Sequence, residues 1–440
     1  MSEKYSTQGS WWIAGEEDNR QHGLLTFTPG GGAVLELTGR LAWAFPDTEQ
    51  FMLGTTPQGE QITLPEAICT KLGENESVYR SSMALIGKHF ASHSDLRFDE
   101  IAVEYDHFSV WFAAPEAKVA VIDDVTSVTY SHPTTVTLMD AASIRISLCQ
   151  GYTEDLAWDR DCPFQLRLHN TISLEHRGDL STLMGLLSHF RNLITLGLCQ
   201  PIRERWIRVR PVTQNSKCDV QVLYEPVSTM PKDAYYHHDR LFSYQDLGND
   251  ASKYLANWFV RRDDLDSVLT LYFNTLYVPV PFVDVRLLNL IQALESYHRR
   301  VVGTSELPKV EHKQRVASVL ATVSPDLRDW VKARLEYSNE VSLLARINWL
   351  LSEFAEVLKP ILKDPDKIAK RLRDNRNYMT HFDVRLKEKK AVGTELIGLV
   401  ELCKLLLELI CMREMGLPAE LIGQIAPRSR SYRTFAYFTK

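Results

Sequence analysis

The sequence predicts an α+β chain of two domains. A β-rich, sandwich-like N-terminal domain with one inserted helix is expected over residues 1–245, and an all-α helical bundle over residues 250–440. Three observations predict it. The apolar period changes from two residues to about 3.6 near Ala251. At 440 residues the chain is too long for one ordinary domain, and long enough to bury large cores without disulfides or a structural metal. Charge is also divided. Residues 1–250 hold 20 Lys and Arg against 33 Asp and Glu, a net of −13, whereas residues 251–440 hold 30 against 23, a net of +7. The half with surplus positive charge is the one suited to a polyanion. With 45% hydrophobic and 24% charged residues, the composition excludes collagen-like, disordered and disulfide-scaffold classes.

The first half reads as strands. Ile101, Val103 and Tyr105 alternate with polar residues, and Val110 and Phe112 continue the alternation. Residues 135–138, 144–148, 164–168 and 172–174 repeat it. Pro29 with Gly30, Gly31 and Gly32, and His132 with Pro133, are turn signals. One helix is expected over 179–198, with apolar residues at 183, 184, 187, 190, 194 and 198. Strands resume at 206–210 and 220–224. The stretch 226–250, rich in Pro, Ser, Tyr, His and Asp, reads as the connection.

The second half reads as helices. In 283–302, Leu287, Ile291, Leu294, His298 and Val301 fall on one stripe. Further helices are expected at 309–322, 325–337, 341–358, 366–379, 394–413 and 418–425. Asp364 followed by Pro365 opens one of them: the carboxylate caps free N–H groups and proline fits the first turn. The most apolar stretch, 396–412, carries Glu401, Lys404 and Glu408, which argues for a buried helix and against a membrane span.

Several chemistries lack their motifs. No Walker-type phosphate loop, dinucleotide-binding glycine motif, GxSxG elbow or HExxH pair is present. The seven cysteines, at 69, 149, 162, 199, 218, 403 and 411, form no CxxC pair, so reduced thiols, no bound metal and no cofactor are expected. His237, His238 and Asp239 are adjacent, their side chains diverge, and they read as linker. The N-terminus carries no basic and apolar leader pattern, so a cytoplasmic protein is expected.

One constellation carries chemistry. Arg376, Asn377 and His381 fit arginine, a polar residue, three spacers and histidine, the signature of HEPN-fold ribonucleases. Chance supplies roughly 0.4 such matches in a chain of this composition. The location adds weight, because the motif lies on a capped helix in the basic half. RNA carries its own nucleophile, the 2′-OH. An imidazole can move the protons, and a guanidinium can grip two phosphate oxygens and stabilise the phosphorane, so no metal is required. Asn377 can orient the histidine or the phosphate. On an unbroken helix Arg376 and His381 lie about 140° apart. Either the helix breaks near His381, or two copies of the motif combine across a homodimer. The bland reading is a surface arginine and a helix-end histidine favoured by the macrodipole.

Lys367, Lys370, Arg371, Arg373, Arg385 and Lys387 flank the motif as candidate RNA contacts. Arg428, Arg430 and Arg433, with Tyr432, Phe435, Tyr437 and Phe438, form a basic and aromatic tail. Glu295 and His298 are candidates to brace the site from behind, although a histidine on an apolar stripe is more often a core residue. Arg203, Arg205, Arg208 and Arg210, around Trp206, form an arginine-rich strand.

The chain resembles the ApeA family of bacterial anti-phage proteins. Leu287 to His298 (LLNLIQALESYH) and the motif from Arg376 to His381 resemble its HEPN domain. Trp11-Trp12, the strand 23–27 (GLLTF), 35–39 (LELTG), and 85–90 (LIGKHF) followed by Phe98 and Trp111 resemble its N-terminal domain. The resemblance implies a dormant endoribonuclease. Released by a phage-encoded trigger, it cleaves host RNA, with tRNA the expected class, and halts growth. It implies Arg376 and His381 as the catalytic pair and Asn377 as their polar assistant. The charge division suggests that the acidic domain restrains the basic one. The competing reading is a non-catalytic ligand-binding protein whose HEPN domain serves only dimerisation.

Overall fold

The computed structural model describes residues 4–46, 48–112, 118–122, 125–129, 135–155, 165–212, 220–225, 240–278 and 280–439. The chain packs as two units. Phe242–Ala256 packs with the strands, and the second unit runs on from Asn257.

The strands of the first unit are β1 (Tyr5–Ile13), β2 (Gln21–Thr28), β3 (Gly32–Leu37), β4 (Gln50–Thr55), β5 (Gln61–Leu72), β6 (Ser77–Ser81), β7 (Met83–Ile86) and β8 (Arg97–Tyr105). They continue as β9 (Lys118–Ile122), β10 (Val125–Thr129), β11 (Val136–Ala141), β12 (Ile144–Asp155), β13 (Gln165–Asp179), β14 (Glu204–Pro211) and β15 (Val220–Tyr224). Thirteen form one antiparallel sheet in the order β11-β12-β13-β8-β14-β15-β7-β5-β4-β1-β2-β3-β6, while β9 and β10 pair separately. Because β6 also pairs with β5, the last six strands close into a barrel, which removes that edge of the sheet. Trp11, Leu25, Phe27, Leu35, Met52, Leu64 and Tyr79 belong to one core cluster from these strands. The chain turns from β2 into β3 through Gly30 and Gly32, both at positive φ, where a side chain would be strained. Gly54 answers a different need: a Cβ there would lie 2.2 Å from the Trp11 ring.

On the open part of the sheet, the helix α2 (Leu180–Leu198) packs against β8 and β13. Asp179 caps it by accepting the Thr182 N–H. The alternation at Val110 and Phe112 misleads. Those residues lie in a short helix, α1 (Phe108–Phe112), because Phe108 and Trp111, three apart, both turn into an aromatic cluster with Phe190 and Tyr244. The strands expected at 164–168 and 172–174 are one strand, β13, whose pairing with β8 shifts between Glu175 and Gly178. Phe164, His132, Pro133, His237, His238 and Asp239 lie outside the described residues.

The helices that follow are α3 (Ala251–Val260), α4 (Arg262–Tyr277), α5 (Val283–Tyr297), α6 (Lys309–Thr322), α7 (Arg328–Arg334) and α8 (Leu343–Glu353). The last five are α9 (Ala355–Leu358), α10 (Pro365–His381), α11 (Gly393–Glu414), α12 (Ala419–Ile425) and α13 (Arg430–Thr439). The apolar helix α11 is the centre of the second unit and is buried on all faces, its charges Glu401, Lys404 and Glu408 included. Burial pushes the Glu408 carboxyl above its ordinary value, against the opposing pull of Lys404 and of two serine hydroxyls. Those serines, Ser429 and Ser431, donate to Glu408 at 2.6 and 2.9 Å and anchor the start of α13. The basic, aromatic tail is therefore a docked helix: Phe435 is buried against the unit, although Tyr437 stays exposed.

Helix α5 ends in a wider π-turn, His298–Val302, which rotates Val301 off the apolar stripe and into solvent. The helix expected at 341–358 divides at Phe354, whose backbone leaves the helical region. No described helix is long and apolar enough to cross a membrane.

Candidate functional site

The site is built on α10. Asp364 accepts the Lys367 N–H at 2.9 Å and Pro365 fills the first turn, so the helix starts where the sequence places it. Ala369, Leu372 and Asn375 are its buried residues, and it packs against α5 and α8. Asn375 donates to the Arg371 carbonyl at 2.7 Å and accepts the Ala391 N–H at 2.8 Å. It therefore ties the chain beyond the helix back onto it. The helix continues unbroken through His381 and stops at Phe382, which takes a left-handed conformation (φ 49°).

Arg376 is half-buried. Its guanidinium lies 3.6 Å from a Glu295 carboxylate oxygen and donates to the Asn377 side-chain oxygen at 3.4 Å. Glu295, near the end of α5, is 8% exposed and is also held by Arg299 at 3.4 Å. The oxygen facing Arg376 accepts no hydrogen bond among the described residues. Glu295 is thus a buried carboxylate between two guanidinium groups, which suits it to hold Arg376 in place. Arg299 also pairs with Glu340 at 3.2 Å, so an ion-pair chain runs from Glu340 through Arg299 and Glu295 to Arg376.

His298 has other partners. It is 4% exposed, accepts from Arg346 at 3.0 Å and meets Trp349 edge to face. Burial, helped by the Arg346 charge, pushes its pKa below the ordinary histidine value. It is a core histidine, not a support for Arg376. Arg346 itself was not legible as a site residue. Almost fully buried, it also binds the carbonyls of Val341 and Gly303. The four-residue spacing from Glu295 to Arg299 was the one sequence signal for the ion-pair chain.

His381 is exposed at the end of α10. Because the helix does not break, His381 lies about 140° around the axis from Arg376. One chain therefore brings Arg376, Asn377 and Glu295 together and leaves His381 on another face.

The flanking cations divide. Arg371 is clamped by Glu395 at 2.5 and 2.6 Å and by the Lys389 carbonyl, Arg373 pairs with Asp374 at 2.7 Å, and Arg385 pairs with Asp383 at 2.8 Å. Lys367, Lys370 and Lys387 are exposed and make no ion pair among the described residues. They are the cations best placed to meet a phosphate backbone. In the first unit, Arg205 and Arg210 are engaged by Glu104, Asp106, Asp99 and Glu100 of β8 and its end, and Arg208 stacks on Trp206. That strand is a laddered polar face. Among the described residues no group of three or more His, Cys, Asp or Glu is arranged to hold a metal ion.

Two family models match the chain: ApeA N-terminal domain 1 over residues 6–258, and Apea-like HEPN over residues 288–421. The second span contains Glu295, Arg376, Asn377 and His381. No curated protein matches the chain significantly.

Proposed function

The chain belongs to the ApeA family, with an ApeA N-terminal domain followed by an Apea-like HEPN domain, and we propose that it is an anti-phage effector that cleaves host RNA. The observation that carries this reading is Arg376, fixed between Glu295 and Asn377 on a capped helix, with His381 five residues further on. The reaction is a transesterification. His381 takes the proton of the 2′-OH, which attacks the adjacent phosphorus, and the P–O5′ bond breaks as the leaving 5′-oxygen takes a proton from solvent. Arg376 stabilises the negative charge gathering on the phosphoryl oxygens, and Asn377 and Glu295 hold the guanidinium. Lys367, Lys370 and Lys387 draw in the RNA backbone, with tRNA as the expected substrate. Since Arg376 and His381 diverge in one chain, two copies supply the complete site. The protein acts in the cytoplasm.

The direct test is incubation of residues 251–440, purified free of the restraint proposed below, with tRNA in EDTA. Products ending in 2′,3′-cyclic phosphate are the expected result. Intact tRNA at every protein concentration would favour the second reading, a binding protein whose helical unit only dimerises. The divergence of Arg376 and His381 gives that reading its one support.

Restraint by the N-terminal unit follows from the charge division of −13 against +7. Expression of residues 251–440 alone is expected to arrest growth where the full chain, without phage, does not. Equal growth with both would remove the restraint, and a phage-encoded trigger would then have nothing to release.

A further inference from the structure

The stretch from Thr304 to Glu340 departs from the rest of its unit. Neither of its helices, α6 and α7, contains a buried residue. Both nevertheless carry apolar faces. Val316, Ala317 and Leu320 of α6 line an open trough of about 590 Å³ together with Ala333 and Leu335 of the α7 side. Val310, Val319, Leu327, Trp330 and Tyr337 are also exposed on this arm. Exposed apolar side chains in this number on one short arm, beside an apolar trough, mark an interaction site.

The arm is firmly rooted. Val341 N–H donates to the Thr304 carbonyl, Glu306 N–H donates to the Asn339 carbonyl, and the Asn339 side chain bonds both the N–H and the carbonyl of Leu307. Buried Arg346 binds the backbone at both ends of the arm, Gly303 and Val341. The root is also continuous with the candidate site, through the pairing of Glu340 with Arg299.

The charges identify the occupant. Residues 304–340 hold six Lys and Arg against six Asp and Glu, so the arm has no net attraction for a polyanion. The trough has unlike walls: His312 and Lys313 stand on the α6 side, and Asp329 and Glu336, with Lys332, on the α7 side. Lys313, Asp329, Lys332 and Glu336 make no ion pair among the described residues. Lys313 on one wall and Asp329 and Glu336 on the other carry opposite charges, and such a surface can complement itself when turned over by a two-fold axis. We propose that this arm is the docking surface for a second copy of the chain, α6 of each copy packing against α7 of the other. The inference rests on the reading that two copies assemble, and adds where they meet.

The test uses the full-length protein in sedimentation velocity over a range of concentrations. Leu320→Asp is expected to weaken the dimer by about 30-fold or more, the loss typical of a central interface residue. Since that change can also disorder the arm, a charge exchange provides the second measurement. Lys313→Glu and Asp329→Lys are each expected to weaken self-association, and an equimolar mixture of the two to recover it, because each unlike pair is then restored. A dimer of unchanged strength in all three variants would overturn the arm as the surface while leaving two-copy assembly standing. No recovery on mixing would overturn the α6-to-α7 pairing. A wild-type protein that stays monomeric at every concentration would overturn both. Variants that lose tRNA binding but keep the wild-type dimer would assign the arm to RNA and end the proposal.

Discussion

Alanine in place of Arg376 is expected to slow RNA cleavage by about 10²–10³-fold, and alanine in place of His381 by about 10²–10⁴-fold. The fold should survive both changes. His381 is exposed, and Arg376 lies at the margin of the core, with Arg299 left to neutralise Glu295. Arg376→Lys separates charge from geometry. A lysine keeps the charge but loses the planar fork that grips two phosphate oxygens, so it should recover only part of the lost rate. Glu295→Gln should also slow cleavage, by less than Arg376→Ala, since it removes the carboxylate that positions the guanidinium and leaves the guanidinium itself. Thermal melts beside the rate measurements separate these effects from unfolding. Wild-type rates in both alanine variants would reject the site outright.

The largest stability effect is expected in the barrel. Trp11 is fully buried, its indole N–H donates to the Gly23 carbonyl at 3.2 Å, and its ring lies against Gly54. Trp11→Ala should cost about 3–5 kcal/mol by removing the largest side chain of this core. Gly54→Ala should cost about 1–3 kcal/mol for the opposite reason, because the added methyl has no space beside the ring. The two effects are coupled. Once Trp11 is alanine, the methyl at position 54 meets a cavity, and the second substitution should cost far less than it does alone. Denaturant unfolding of the four proteins in this cycle checks the argument. Additive costs would mean that the Trp11 ring is not what excludes a side chain from position 54.

Much of this molecule was legible because period and caps are local signals. The change of apolar period separated strands from helices. Asp364 and Pro365 marked the start of α10, and Asp179 lies at the start of α2. What remained hidden depends on contacts between distant residues. Closure of the barrel needs β5 to pair with β6, which no strand shows by itself. The docking of α13 depends on Glu408, a charge whose serine partners lie 21 and 23 residues away. Val110 and Phe112 misled because alternation over so few residues fits a strand or a helix turn, and the aromatic cluster decided for the helix. At the site, the motif named Arg376, Asn377 and His381. Spacing alone did not single out Glu295 over His298. Their fates separated in space: one carboxylate turned to Arg376, and one imidazole to Arg346.

The central claim is that Arg376 from one copy and His381 from another serve the same phosphodiester. It is tested most directly by mixing two inactive proteins, Arg376→Ala and His381→Ala, and assaying tRNA cleavage. Random pairing gives half heterodimers, each with one intact site of two, so recovery to about a quarter of the wild-type rate is predicted. If the mixture stays as inactive as either protein alone while heterodimers demonstrably form, the two residues do not meet across copies and the account is contradicted.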